Sequence, residues 1–340
     1  MALAGYRVLC IEGGDQIGKG DSFLNLKNYY LSKSINLTTV SLPIYSTPIG
    51  TVIRRLLKEG VPETILKKYG ELNIRMALFA LNRLEFMNAF LLEKKYKDSL
   101  IIFDRSPFSN ALTIAYALAN VKNIKDGELS KYVDTALDLD GYIIRTLNLD
   151  KCIVQLYHSC KSNMWSSIRG NRNEDMYERK EVQERCDDVY KIYQEKIGKN
   201  WKKVVTKIDG KWRDRVDICK ELQQIVSERY GDMELIKNGK CCSISFNEIV
   251  PNIYLGAKWS SDDLEKYMIA LEKNNKDAMY EYAVKLGMSV ANSVEEVRFG
   301  NDEVRNEFVR ILDMNDGIYE IFEYFLGNEF LHKFRKGLGL

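Results

Sequence analysis

The stretch CIEGGDQIGKGDS, residues 10–22, decides how the rest of the chain is read. Gly13, Gly14 and Gly18 let the backbone curl so that successive N–H groups point inward, and Lys19 follows the last glycine directly. Such a loop, after an apolar strand and before a helix, cradles phosphate oxygens: amides and the helix N-terminus supply partial positive charge, and the lysine a full one. Gln16 and Ile17 lie mid-loop, so Gly13 through Asp21 form the candidate nucleotide-phosphate cradle. A lysine directly after Gly18 also separates the motif from the dinucleotide-binding Gly-x-Gly-x-x-Gly. One position is anomalous: where a Ser or Thr hydroxyl would coordinate Mg2+, the chain has Gly20, then Asp21. A carboxylate is a good ligand for a hard cation, which makes Asp21 the candidate substitute.

Outward from this loop, strand and helix patterns alternate. RVLCIEG (7–13) is an apolar run ending in glycine, DSFLNLKNYYLSKS (21–34) has helical spacing, and NLTTVSLP (36–43) is a second strand closed by Pro43. Residues 65–98 form a long apolar stretch expected to be two helices, and SLIIFDRS (99–106) a third strand with polar residues at its end. KCIVQLYHS (151–159) and WKKVVTKID (201–209) supply two more. The expected fold is α/β: a parallel sheet with crossover helices, binding its ligand at the carboxyl ends of the strands, where both the glycine loop and Asp104-Arg105-Ser106 fall.

Past residue 230 the texture changes. ELIKNGKCCSISF (234–246) predicts a hairpin about Asn238 and Gly239, and the remainder predicts helices, with Ser261 and Ser293 as N-caps and Glu296 completing a capping box with the latter. The expected domains are 1–230 and a smaller, mostly helical 231–340. The tail aromatics, among them Tyr280, Phe308, Phe322 and Tyr324, are expected to build a core there, with a protein partner as the second reading.

Length and composition suit a two-domain globular protein: 340 residues, 45% hydrophobic and 29% charged. The apolar runs are too short to span a bilayer, and the first residues lack the sections of a signal peptide, so a cytoplasmic setting without membrane contact is expected. Seven cysteines with no CxxC pair predict reduced core thiols. Residues 1–230 carry 37 basic against 29 acidic side chains, and residues 231–340 carry 13 against 19. A basic first part suits polyphosphate substrates, while the acidic remainder argues against nucleic acid as a partner.

Taken in order, several segments resemble thymidylate kinases, from the glycine loop through about residue 230. IEGGDQIGKG is similar to the family's loop, and the resemblance implies that Asp15 faces the deoxyribose of the acceptor. In ALFALNRLE (77–85), Phe79 would stack on the pyrimidine and Arg83 would bond the base edge. In FDRSPFSNA (103–111), Arg105 would hold the acceptor phosphate, and Ser109 falls at the family's serine; apart from the resemblance, Asp104 at a strand end can bind a metal through water. SIRGNRNEDMYERKEVQER (167–185) resembles the mobile lid, expected at about 166–180, with Tyr177 in step and Arg169 and Arg172 supplying charge on closure. The implied activity is transfer of the ATP γ-phosphoryl group, with Mg2+, to a pyrimidine deoxynucleoside monophosphate by a homodimer.

The chemistry is consistent with these residue types. Joining two polyanions needs neutralisation and alignment rather than a nucleophile, and Lys19, Arg105, Arg169 and Arg172 bring charge from three segments. The chain also departs from the family pattern. Ile44 and Tyr45 replace a charged Glu/Arg pair, Ser106 replaces an aromatic, Thr113 stands where many members have tyrosine, and Met176 replaces a basic residue. Two other readings follow: a deoxynucleoside kinase, to which Asp-Arg-Ser is closer, or a weakened nucleotide-binding protein acting through its tail.

Overall fold

The computed structural model describes residues 6–92, 96, 98–119, 126–159, 177, 179–231, 239–243, 253–273 and 275–340. They form two compact units, Met1–Leu42 with Lys94–Ser243, and Pro43–Glu93 with Ile244–Leu340. The sequence reading draws its boundary at residue 230. In the structure, residues 43–93 instead group with the C-terminal residues. The physical reason lies in α2 (Pro48–Glu59) and α4 (Glu71–Leu92), which are buried over most of their circumference. Helices buried this extensively need partners on several sides, and C-terminal helices supply them.

The first unit is a seven-stranded sheet of order β6-β5-β4-β1-β3-β2-β7. β1 (Arg7–Glu12) lies between β3 (Leu100–Asp104) and β4 (Ile153–His158), with β2 (Leu37–Ser41) beyond β3 and β5 (Trp201–Ile208) beyond β4. These pairs are all parallel, and β1 and β3 run in register with Ile11 opposite Asp104. Continuous burial along β1, β3 and β4 explains why they read as unbroken apolar runs. The chain leaves β1 toward one neighbour and returns on the other side, so the carboxyl end of β1 is a topological switch point. Behind it, α1 (Lys19–Ser32) and the helix Arg215–Tyr230 pack on the sheet through Leu26, Tyr30, Ile218 and Leu222. The hydroxyl of Tyr230 ties both backbone groups of Val8, accepting from its N–H at 3.0 Å and donating to its carbonyl at 2.7 Å.

Of the hairpin expected over 234–246, only residues 239–243 are described, and the rest, Asn238 included, lie outside the described residues; Cys241–Ser243 is β7, which pairs parallel with β2, with Leu37 opposite Cys241. An antiparallel hairpin closes between β5 and β6 (Lys211–Trp212), where Asp209 and Gly210 both take positive φ. Cys10, Cys152, Cys186 and Cys219 are free and buried, as expected of core thiols.

In the second unit α3 (Glu63–Tyr69) and α4 are the two helices expected over 65–98, parted at Gly70, where φ is 78°. C-terminal helices span Ser261–Glu272, Lys276–Ser293, Asp302–Asp313 and Gly317–Leu338. Ser293 is not an N-cap: it ends its helix, and its hydroxyl donates to the carbonyl of Ser289. Glu296 lies in a two-residue strand opposite Leu255, and Asn301 caps the next helix through the Val304 amide at 3.0 Å. The first C-terminal cap is Ser260 rather than Ser261. Phe308, Phe322, Phe330 and Phe334 form the aromatic core, whereas Tyr324 is exposed.

Candidate active site

At the switch point the glycine loop takes a shape that few other residues could hold. Gly13 has φ 132°, and a Cβ there would lie 2.1 Å from Ile17 and 2.5 Å from the Leu156 carbonyl. Gly18, at φ 88°, caps α1, and Gln16 also has positive φ. The backbone is thus curled before any ligand arrives. The residues therefore fit a polyphosphate, because a close-approach cradle that no side chain can fill precedes the N-terminus of α1.

Lys19 is buried and donates to the carbonyl of Gly13 at 2.9 Å and to that of Gly14, and its ammonium lies 3.8 Å from the Asp15 carboxylate. Burial, reinforced by the nearby positive charge of Arg105, pulls its pKa down to about 8. Asp15 is also clamped by the Arg105 guanidinium. Gln183 completes the setting, accepting from the Asp15 amide at 2.7 Å and donating to its carboxylate at 3.1 Å. Burial alone would raise the Asp15 pKa, but the charges of Arg105 and Lys19 outweigh it and hold the carboxyl below its usual range.

Arg105 has a left-handed backbone, φ 67°, which is strained for a residue with a side chain. Its amide donates to the Ile11 carbonyl across the sheet at 3.3 Å. The strain occurs where β3 must turn a guanidinium onto the loop of the neighbouring strand.

Beneath this pair lies Glu12, fully buried. It accepts from the Ser106 amide at 2.8 Å, the Ser106 hydroxyl at 2.5 Å, the Ser109 hydroxyl at 2.7 Å and the Tyr190 hydroxyl at 3.0 Å. Burial raises its pKa against those donors. Tyr190 also accepts from the Gly13 amide at 3.2 Å, so one hydroxyl joins the strand end to the loop. Sequence reasoning missed Glu12 and Tyr190, although an acid ending an apolar strand run was the available signal for the first.

Of the residues singled out in the sequence, Lys19, Asp15 and Arg105 come together, with Gly13 and Gly14 as acceptors of the lysine. Ser109 is engaged with Glu12. Tyr177 is buried, and its hydroxyl donates to Thr113 at 3.2 Å while its carbonyl accepts from Gln183 at 2.7 Å. Ser106, which replaces an aromatic, is explained by its two bonds to Glu12. Asp21 is over half exposed and pairs with Arg215 at 3.0 Å. Among the described residues, no group of three or more His, Cys, Asp or Glu side chains could hold a metal. Arg169, Arg172, Met176 and most of the expected lid lie outside the described residues.

Phe79 and Arg83 belong to the second unit. Phe79 is half-buried on α4 beside an apolar crevice walled by Ile53, Leu56, Leu57 and Leu78, and Arg83 is buried. There Ile44 is buried with its N–H and carbonyl both bonded to Asn82, at 2.9 and 3.2 Å, and the ring of Tyr45 meets Tyr280 edge-on at 5.4 Å. The neutral Ile44 and Tyr45 thus suit a segment that packs on α4 and, through Tyr45, against Tyr280.

A glycine loop between a central parallel strand and a helix, with its lysine and an arginine facing it from the end of the next strand, is an α/β fold of the P-loop type. Residues 11–131 match the family model for thymidylate kinase. Among solved structures it resembles the thymidylate kinase from Candida albicans, with 18% identity, 67% of this chain and 93% of that chain covered, and a TM-score of 0.45. No curated protein matches the chain. Among the described residues, no helix is long and apolar enough to cross a membrane.

Proposed function

We propose that the protein is an ATP-dependent nucleoside monophosphate kinase of the thymidylate type, with dTMP or a related pyrimidine deoxynucleotide as acceptor. The observation that carries this reading is the Lys19–Asp15–Arg105 cluster on a pre-curled glycine loop. It pairs two cations with one carboxylate, and an incoming phosphate can take over the lysine and the arginine from Asp15 and the loop carbonyls. Gly13 through Asp21 would bind the ATP phosphates. Arg105, with its planar fork, suits a phosphate bidentately, and the resemblance gives Asp15, Ser109 and Tyr177, and separately Phe79 and Arg83, roles toward the acceptor nucleotide. Arg169 and Arg172 would add charge from the lid. Magnesium, carried in with ATP, would neutralise the polyphosphate, with Asp104 and Asp21 as its carboxylates, directly or through water. The resemblance further implies a homodimer, which sedimentation would test.

The decisive assay supplies purified protein, ATP and Mg2+ with a panel of nucleosides and monophosphates. ADP release with monophosphates only is expected, and release with thymidine but not dTMP would transfer the reading to a deoxynucleoside kinase. The exposed Asp21–Arg215 pair favours a second reading, nucleotide binding with weak catalysis, which ATP binding without turnover on any acceptor would establish.

A further inference from the structure

The second unit contains a polar network that the glycine loop does not explain. Glu85, fully buried on α4, accepts from the Thr47 hydroxyl at 2.6 Å, the Asn82 amide at 2.8 Å, the Ile49 N–H at 3.4 Å and the hydroxyl of Tyr254. Thr47 is the N-cap of α2 and accepts from the Gly50 amide at 3.1 Å. The segment 44–50 therefore has three of its amides, those of Ile44, Ile49 and Gly50, fixed by Asn82, Glu85 and Thr47. Two of those three holders lie within two residues of Arg83, and all three bond to one another.

Tyr254 is distant in sequence, and its ring packs on Phe330 in the C-terminal aromatic core. A second tie lies at Gly287. There a Cβ would fall 2.0 Å from the Thr51 hydroxyl and 2.6 Å from the Thr47 carbonyl, so only glycine lets that helix approach α2 so closely. The Thr51 hydroxyl in turn lies 3.4 Å from the Val284 carbonyl on the same helix. The C-terminal residues thus carry two of the contacts that shape the 44–51 backbone.

We infer that Tyr254 is a positioning residue for the acceptor: by holding Glu85 it fixes the 44–50 segment and the turn of α4 that carries Phe79 and Arg83. The inference rests on the acceptor role proposed for those two side chains. It also gives the C-terminal residues a task within the chain, where the sequence offered only a core or an outside partner.

The test uses the full chain with Tyr254→Phe, which deletes one oxygen and leaves the ring. Amide hydrogen exchange at Ile44, Ile49 and Gly50 is expected to accelerate tenfold or more, while amides of the glycine loop keep the wild-type rate. With dTMP as acceptor, its KM is expected to rise about five- to tenfold and the KM for ATP to stay within twofold. Thr47→Val, which removes another donor from the same carboxylate, should reproduce the pattern, and Thr47→Ser should restore wild-type values. Unchanged exchange at the three amides, or equal rises in both KM values, overturns the inference. Exchange needs no turnover: if wild-type protein phosphorylates no monophosphate, the proposed function fails while the exchange data still decide whether Tyr254 holds the segment.

Discussion

Two loops of this chain are held open in different ways. The Gly13–Lys19 loop is fixed by ionic groups close to it in sequence or on the neighbouring strand: Lys19 on its own carbonyls, Arg105 on Asp15, with Gln183 and Tyr190 as neutral supports. The 44–50 segment is fixed by neutral donors around one buried carboxylate, Glu85, and one of them, Tyr254, lies 169 positions away from it. The first arrangement is poised for exchange, because every cation in it can trade a protein oxygen for a phosphate oxygen. The second is poised to stay, since removing any donor leaves a buried carboxylate short of a partner. A phosphate site thus has labile ionic pairs, and a scaffold has committed hydrogen bonds.

Lys19→Ala breaks that comparison most severely. It deletes the one cation that the loop itself carries, and phosphoryl transfer is expected to fall on the order of a thousandfold, the scale of losing a key electrostatic group in a preorganised site. The readout is ADP release under saturating ATP. Retention of turnover would show that the loop does not carry the chemistry.

Glu85→Ala attacks the other loop and should act on stability. Thr47, Asn82 and Tyr254 would lose their shared acceptor beside a new void, at a cost of roughly 2–4 kcal/mol in urea unfolding. Glu85→Gln separates charge from shape. Burial lifts the Glu85 pKa to about 7 against its hydrogen-bond donors. A pKa raised in the folded state means the native protein binds the extra proton between about 4.5 and 7. The contribution of Glu85 to stability is then fully present below about 4.5 and is lost as pH rises through 7. The wild-type minus Glu85→Gln difference in stability is therefore expected to decline over that window, and a flat difference would show that the carboxyl keeps its ordinary pKa.

These two loops also mark how far the sequence could be read. The glycine loop was legible because its geometry is enforced locally: glycines at positive φ, a lysine at fixed spacing and a strand ending at the right place. Arg105 was legible as a polar residue ending an apolar run. Glu12 offered only the signal of an acid ending an apolar run, and Tyr190 none, because their pairing depends on the helix Lys180–Ile197 and the turn after β3 converging in the fold. The division at residue 230 misled for a related reason. Composition does shift there, but α2 and α4 choose their partners by burial, and the residues that cover them come from beyond 250. Ser293 and Glu296 had the spacing of a capping box yet end a helix and begin a strand, because Ser293 bonds backward to Ser289 and to Lys258.

A gentler probe of the ionic loop is pH. Lys19 has a pKa near 8 because burial and Arg105 disfavour its charge. The free protein therefore loses the ammonium as pH rises through 8, and ATP affinity is expected to drop by up to about tenfold per pH unit above it, as measured by calorimetry. The same depressed pKa gives stability the opposite sign. Between about 8 and 10.5 the unfolded chain binds the proton that the folded one lacks, so the cost of burying Lys19 is relieved as pH rises. Affinity that stays level to pH 9.5 would show that the lysine keeps its charge in the empty loop.

The smallest effect is expected at Asp21, the residue that makes the loop unusual. Its carboxylate pairs with Arg215, and the two side chains are 55% and 71% exposed. Solvent at this exposure leaves such a pair with little net worth, so it can open without disturbing the fold. Gly20 offers no hydroxyl, and Asp21 is the next carboxylate along α1. If Asp21 serves magnesium after leaving Arg215, Asp21→Ala should raise the Mg2+ concentration for half-maximal turnover severalfold with little change in thermal stability. Arg215→Ala, which frees the carboxylate, should lower it. The two variants thus move the metal requirement in opposite directions. An unchanged requirement in both would mean that the metal is held by ATP and Asp104, and that Asp21 and Arg215 form a surface pair beside a loop whose ionic work is done by Lys19 and Arg105.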